Sequence, residues 1–144
     1  MLANYPALST DERRVQFMGP KILLIDDNRL NRDVLGVLLR KLGIEYVMLE
    51  SPLNLQQLLN EIDHLEAVFL DLEMPVMNGY EGLAVLKAHP VTQDTPVVAY
   101  TVHVSQVNEA KQAGFDSFLS KPIDSNRFPE YLERILNGQA VWEL

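Results

Sequence analysis

The chain has 144 residues, a formal net charge of −8 and no cysteine, and 47% of its residues are hydrophobic. This length fits one domain with its own core, and an acidic chain without a clustered Lys/Arg stripe argues against nucleic-acid binding. Disulfides and thiolate sites are excluded. No apolar run approaches the roughly 20 residues that span a bilayer, and no leader-like N-terminus is present. We therefore expect a cytoplasmic protein with no membrane segment.

Residues 1–20 are polar and mixed, and we interpret them as an N-terminal extension. Ser9-Thr10-Asp11-Glu12 resembles a helix start in which Ser9 caps and Glu12 reaches back, and Gly19-Pro20 ends the segment. A frayed extension with one short helix is the favoured interpretation, and a docking or dimerisation role is the alternative.

From Lys21 onward, strand and helix patterns alternate. A strand over 21–26 leads to a helix over 29–42, which Asn28 caps and Gly43 ends. A strand over 45–49 leads to Ser51-Pro52, which begins a second helix. The expected apolar positions are Leu30, Val34, Val37, Leu38 and Leu42 in the first helix, and Leu55, Leu58, Leu59 and Ile62 in the second.

The second half continues the alternation. A breaker-rich loop over 73–79 follows the third strand and precedes a helix, and Gly114 ends the next helix. The expected elements are strand 67–71, helix 79–88, strand 97–101, helix 105–113, strand 116–120 and a last helix that buries Phe128, Leu132, Ile135 and Leu136.

The strands lack clean alternation of apolar and polar residues, as expected when helices cover both faces of a parallel sheet. The pattern predicts a flavodoxin-like (βα)5 three-layer sandwich with a parallel five-stranded sheet in the order 2-1-3-4-5. We assign this domain to residues 21–137. Residues 138–144 form a tail, in which Trp142 is expected to pack on the domain edge, with partner docking as the alternative.

Polar residues follow the apolar runs at four separate places, namely Asp26-Asp27, Asp71, Thr101 and Lys121-Pro122. Functional groups gather at the carboxyl ends of strands in open parallel sheets, so we expect these residues to share a site. Crowded carboxylates need a lysine or a divalent cation to stay ionised, and oxygen ligands suit Mg²⁺. The chemistry indicated is phosphoryl transfer.

With these residues in place, about residues 20–137 resemble the receiver domain of two-component response regulators. The resemblance is carried, in order, by Leu24-Ile25-Asp26-Asp27-Asn28, by residues 70–79 with Asp71 and Met74-Pro75, by Ala99-Tyr100-Thr101, and by Phe118-Leu119-Ser120-Lys121-Pro122. It implies that Asp71 is the phosphoacceptor. It also implies a Mg²⁺ ion bound by Asp27 and Asp71, by the backbone carbonyl of Glu73, and by Asp26 through a water.

The resemblance further implies that Lys121 pairs with the acceptor carboxylate and then with the phosphoryl group, and that the Lys121-Pro122 bond is cis. Thr101 would donate its hydroxyl to a phosphoryl oxygen, and Phe118 would be the rotating aromatic coupled to it. Phosphorylation would then favour an inward state of both residues and remodel a partner surface over 104–137.

Three side chains near the expected acceptor concern the rate of hydrolysis, and one of them departs from the commonest pattern of the family. Val102 replaces a small residue, and Glu73 and His103 would flank the path of the attacking water. We predict that these three side chains tune the rate of autodephosphorylation.

The expected function is that of a stand-alone receiver, a phosphoacceptor switch rather than an enzyme, with a histidine kinase or a histidine phosphotransfer protein as donor. Homodimerisation is left open. The alternatives are a phosphorylation-independent pseudo-receiver and a haloacid-dehalogenase-type phosphatase. The phosphatase fits poorly, because its Asp-x-Asp motif would require aspartate where the chain has Glu73.

Overall fold

The computed structural model describes residues 22–75 and 77–144; the N-terminal extension, with its expected helix start at Ser9, lies outside the described residues. The strands are β1 (Ile22–Ile25), β2 (Tyr46–Leu49), β3 (Ala67–Asp71), β4 (Val97–Thr101), β5 (Ser117–Ser120) and β6 (Trp142–Glu143). The helices are α1 (Arg29–Lys41), α2 (Leu55–Glu61), α3 (Gly79–Ala88), α4 (Val107–Ala113) and α5 (Phe128–Leu136). Short 3-10 turns, Pro52–Asn54 and Val104–Gln106, precede α2 and α4.

All strand pairs in the sheet are parallel, and the order is β2-β1-β3-β4-β5-β6. The flavodoxin-like fold and the order 2-1-3-4-5 are confirmed. The prediction of five strands is wrong, because β6 adds a sixth strand outside β5. Two residues are too short to give a periodic signal. Gly138, with φ +79°, turns the chain after α5 so that it returns to the sheet.

Two hydrophobic clusters cover the two faces of the sheet. In β1, Leu23 and Ile25 face one cluster and Ile22 and Leu24 face the other. Helices α2, α3 and α4 contribute to the first cluster, and α1 and α5 contribute to the second. Strands buried on both faces read as continuous apolar runs, which explains why their sequences do not alternate.

The apolar stripe predicted for α1 is wrong at Leu30, Val34 and Val37, whereas Leu38 and Leu42 are partly buried and pack against the second cluster. Leu30, Val34 and Val37 are exposed, and the buried apolar positions are Leu35 and Leu39. Apolar residues surround much of α1, so their spacing alone does not select a face. The buried Arg32 on this helix donates from Nη1 to the backbone carbonyl of Asp26 at 2.7 Å, and this hydrogen bond turns the Leu35 face toward the sheet.

The helix caps predicted at Asn28, Ser51 and Gly114 are confirmed. The Asn28 side chain accepts from the Asn31 N–H at 3.0 Å, and the Ser51 hydroxyl accepts from the Leu53 N–H at 3.2 Å. Gly114 has φ +109° after α4, the left-handed conformation that favours glycine at a helix end. Within residues 22–75 and 77–144, no helix is long and apolar enough to cross a membrane.

Candidate functional site

The predicted site residues lie together at one edge of the sheet. The register pairs Ile25 of β1 with Leu70 of β3, so the residues that follow them reach the same level. One carboxylate oxygen from each of Asp26, Asp27 and Asp71 lies within 4.8 Å of the others. The convergence of these acids, which was inferred from strand ends alone, is therefore present in the structure.

Lys121 lies between two of these acids. Its Nζ is 2.9 Å from Oδ2 of Asp26 and 3.5 Å from Oδ2 of Asp71, and its side chain is only 9% exposed. The lysine is therefore closer to Asp26 than to the expected acceptor. Its backbone N–H donates to the Thr101 carbonyl at 2.9 Å, and the Lys121-Pro122 bond is cis. The ion pairs with Asp26 and Asp71 hold the ammonium group inside the site.

Asp26 is fully buried, and protein donors occupy both of its carboxylate oxygens. Oδ1 accepts from the Asn28 N–H at 2.9 Å, while Oδ2 accepts from Lys121 and from the Tyr100 hydroxyl, the latter at 2.7 Å. Burial acts to raise the pKa of this carboxyl group, but the hydrogen bonds from Asn28, Lys121 and Tyr100 outweigh burial and lower the pKa below its ordinary value. This acid is an ionised, fixed part of the site.

The pKa of Asp71 is shifted in the opposite direction from that of Asp26. Burial, helped by the negative charge of Asp26 and opposed by Lys121, raises the pKa of its carboxyl group to about 7. Its Oδ1 accepts a longer hydrogen bond from the Glu73 N–H, at 3.2 Å. A strongly perturbed carboxylate beside a lysine in a cleft is a functional-site candidate.

Gly79 brings the start of α3 against the end of β3. A Cβ atom at this position would lie 2.5 Å from the backbone oxygen of Asp71, so no larger residue fits without displacing the backbone. The Gly79 N–H donates to the Leu72 carbonyl at 3.0 Å. The loop predicted over 73–79 therefore closes tightly beside the acid that ends β3.

Tyr100 is a site residue that the sequence analysis missed. Besides its hydrogen bond to Asp26, its ring lies 4.4 Å from Nζ of Lys121. Burial and the charge of Asp26 raise the pKa of the phenol above its ordinary value, so the hydroxyl remains a donor. We call Asp26, Asp71, Tyr100 and Lys121 the inner cluster. The available signal was an aromatic hydroxyl in an otherwise aliphatic strand, directly before Thr101.

The two expected switch residues are both buried. The Thr101 hydroxyl accepts from the His103 N–H at 3.2 Å, and the Phe118 side chain is fully buried. Strands β4 and β5 pair Ala99 with Phe118 and Thr101 with Ser120, so a backbone ladder connects the two positions. In this structure, Phe118 already occupies an inward position.

Half-exposed side chains form the mouth of the site, which we call the rim and define as Glu73, Val102, His103 and Gln106. Oε2 of Glu73 is 2.9 Å from Nε2 of His103, and Gln106 Nε2 donates to Oε1 of Glu73 at 3.4 Å. Val102 is largely exposed. The contact between Glu73 and His103 thus joins the loop after β3 to the loop after β4.

Comparison with known proteins gives one consistent family. A family model described as "Response regulator receiver domain" matches residues 22–133. The chain is 28% identical over 121 residues to the polar-differentiation response regulator DivK of Brucella ovis, and the match covers 83% of this chain and 98% of DivK.

Longer proteins match as well. Histidine kinase 3 of Arabidopsis thaliana is 29% identical over 148 residues, covering 88% of this chain and 14% of the kinase. The chain therefore spans only a small part of that relative, whereas it matches nearly the full length of DivK.

Solved structures agree with the fold. The receiver domain of the sensor histidine kinase PA1611 from Pseudomonas aeruginosa PAO1, with a magnesium ion coordinated in its active site cleft, is 26% identical, with a TM-score of 0.74 and coverage of 83% of this chain and 98% of that domain. The chemotaxis response regulator CheY4 of Vibrio cholerae has a TM-score of 0.73 at 22% identity, over 82% of this chain and 99% of CheY4.

Proposed function

The chain belongs to the response regulator receiver domain family, and we propose that it accepts a phosphoryl group on Asp71 and acts as a response regulator. The donor would be a histidine kinase or a histidine phosphotransfer protein. The observation that supports this most strongly is the inner cluster, in which Asp71 lies at a strand end with Lys121 3.5 Å away and Asp26 beside it.

In the proposed transfer, a carboxylate oxygen of Asp71 forms a bond to phosphorus as the P–N bond of the donor phosphohistidine breaks. The electron pair of the broken bond leaves with the imidazole nitrogen. Lys121 would pair first with the Asp71 carboxylate and then with the phosphoryl oxygens. The Thr101 hydroxyl would donate to one of these oxygens. Positioning and electrostatic stabilisation supply most of the catalysis in such transfers.

We propose that Mg²⁺ is the cofactor, because carboxylate and carbonyl oxygens are its preferred ligands and the three acids lie within 4.8 Å. Both oxygens of Asp26 already accept protein hydrogen bonds. This favours Asp27, Asp71 and the Glu73 carbonyl as direct ligands, with Asp26 acting through water. When bound, Mg²⁺ would neutralise charge on the transferring phosphoryl group.

The protein would act as a switch that catalyses only its own phosphorylation and dephosphorylation. Phosphorylation would stabilise the inward positions of Thr101 and Phe118 and bias the surface over 104–137 toward a downstream protein. The rim residues Glu73, Val102 and His103 would tune the lifetime of the acyl phosphate by placing water and charge at the opening.

The test is intact mass after incubation with Mg²⁺ and a small acyl-phosphate donor. We expect the wild-type chain to gain one labile phosphoryl group, and we expect no gain in Asp71→Asn or when EDTA removes Mg²⁺. An equal gain in Asp71→Asn would contradict the proposal. No gain together with no Mg²⁺ binding would favour the pseudo-receiver, and turnover of a generic phosphate ester would favour the phosphatase.

A further inference from the structure

The outer edge of β5 is already occupied by an extended segment of the same chain. An edge strand presents unpaired N–H and C=O groups that readily pair with another chain. Here the Phe118 N–H donates to the Val141 carbonyl at 2.7 Å, and Phe118 and Leu119 lie in parallel register with Trp142 and Glu143. The occupied edge therefore shows what kind of segment fits this surface.

The first two positions of the segment have defined environments. Val141 is fully buried in the cluster on the α5 face, and its N–H donates to the Ser117 hydroxyl at 3.0 Å. Trp142 packs on the opposite cluster, and its ring centroid lies 5.0 Å from Nζ of Lys111. The surface thus favours an apolar side chain at the position of Val141. At the position of Trp142 it favours an aromatic side chain that the Lys111 ammonium group can contact.

The third position favours an acid. Glu143 lies 3.8 Å from Nη2 of Arg127, so Lys111 and Arg127 place two cations along this edge of a chain whose net charge is −8. An extended segment with an apolar, an aromatic and an acidic residue in succession matches both the packing and the charge of the edge.

The segment is held mainly at Val141. Both members of the Glu143–Arg127 pair are partly exposed, and such pairs contribute little to stability. A cleft of about 270 Å³ borders residues 138–140, and another of about 220 Å³ borders Glu143 and Leu144. Open space therefore borders the chain just before Val141 and at Glu143, and the two-residue strand lies at the end of the sheet, beside β5.

We propose that the β5 edge is a binding surface for an extended segment of a partner protein with this apolar–aromatic–acidic pattern, and that residues 141–143 occupy it in cis until the partner displaces them. Addition of a strand to a sheet edge is a recurring mode of peptide recognition. The other edge of β5 pairs with β4, where Ser120 lies opposite Thr101. The bound segment therefore lies one strand away from the candidate site. Binding of a partner segment at this edge does not require phosphorylation of Asp71.

The binding test uses a fluorescein-labelled peptide with the sequence of residues 138–144 and fluorescence anisotropy. Val141→Asp places a charge in a buried position and expels the cis segment, while Val37→Asp makes the same change at a partly exposed valine of α1. We expect the peptide to bind Val141→Asp at least about 10-fold more tightly than it binds wild type or Val37→Asp, because a tethered segment competes at an effective concentration on the order of millimolar.

A control peptide with Asp in place of its valine should not bind any variant. Val141→Ala, which removes two buried methyl groups, weakens the cis segment without burying a charge and decides the outcome if circular dichroism shows that Val141→Asp is unfolded. Equal affinity of the peptide for wild type and for the folded release variants would overturn the proposal.

Trp142 is the only tryptophan in the chain and reports directly on the cis segment. We expect acrylamide to quench its fluorescence more slowly in wild type and Val37→Asp than in Val141→Ala. Quenching in wild type as fast as in the free peptide would show that the edge is not occupied in solution, and this result would also overturn the proposal.

Discussion

The inner cluster and the rim are neighbouring polar regions with opposite physical character. Asp26, Asp71 and Lys121 of the inner cluster are at most 9% exposed, whereas the rim pair Glu73 and His103 is about half exposed. Charge interactions are stronger where water is excluded, and exposed ion pairs contribute only about 0–1 kcal/mol. We therefore expect the inner cluster to decide whether transfer occurs and the rim to adjust its rate.

The largest effect is expected from Lys121→Met, which removes the ammonium group from the inner cluster and leaves a stem of similar size. We expect phosphorylation by a small acyl phosphate to slow by about 100-fold, because a buried donor to the developing charge is lost. Time-resolved intact mass measures this rate.

Lys87→Met is the matched control, because Lys87 forms an ion pair with the half-exposed Asp116 at 3.1 Å, at the amino ends of β4 and β5 and therefore at the edge of the sheet opposite the site. Its phosphorylation rate should equal that of wild type. Equal slowing in both variants would show that the inner cluster has no special role.

Tyr100→Phe removes one hydroxyl from the inner cluster. We expect it to lower the free energy of unfolding by about 1–3 kcal/mol, because a buried charged acceptor loses a hydrogen bond. Urea denaturation measures the change. Tyr80→Phe is the control: its hydroxyl is buried without a hydrogen-bond partner among residues 22–75 and 77–144, so the substitution should not destabilise the protein. A larger loss in Tyr80→Phe than in Tyr100→Phe would contradict the assigned hydrogen bond.

The raised pKa of Asp71 predicts a pH dependence of stability in metal-free buffer. Between its ordinary value of 3.8 and about 7, the folded chain holds a proton that the unfolded chain has released, so stability should fall as pH rises through this window. The lowered pKa of Asp26 acts below 3.8 and does not mask this trend. Asp71→Asn should remove the Asp71 contribution to the slope, and an unchanged slope measured by urea denaturation would show that this carboxyl group has a normal pKa.

The smallest effects are expected at the rim. Glu73→Asn, Val102→Ala and His103→Ala should each change the lifetime of the acyl phosphate by up to about five-fold, which corresponds to about 1 kcal/mol. Loss of the phosphoryl group, followed by intact mass after the donor is removed, gives the lifetime. Unchanged lifetimes in all three variants would show that the rim does not affect hydrolysis of the acyl phosphate.

The sequence predicted the strand order and the convergence of Asp26, Asp27 and Asp71, because parallel strands end at one edge whatever the details of packing. It also predicted the caps at Asn28 and Ser51, which depend on neighbouring residues. These features follow from local chemistry and from topology.

Other features depend on contacts between residues that are distant in sequence. From the sequence alone, Tyr100 has the pattern of a core aromatic. Its place in the site depends on Asp26, 74 positions away, which accepts a hydrogen bond from its hydroxyl. The inward face of α1 depends on the buried contact of Arg32 with the Asp26 carbonyl, and β6 depends on the burial of Val141 beside β5. Periodicity within one element cannot report such contacts.

The most direct test of the central claim is to locate the phosphoryl group. Borohydride reduces an aspartyl phosphate to homoserine, so the chain would be phosphorylated with a small acyl phosphate and Mg²⁺, reduced, digested and sequenced by mass spectrometry. We predict homoserine at position 71 and unmodified aspartate at Asp26 and Asp27. Homoserine at either of those positions, with Asp71 unmodified, would contradict the account.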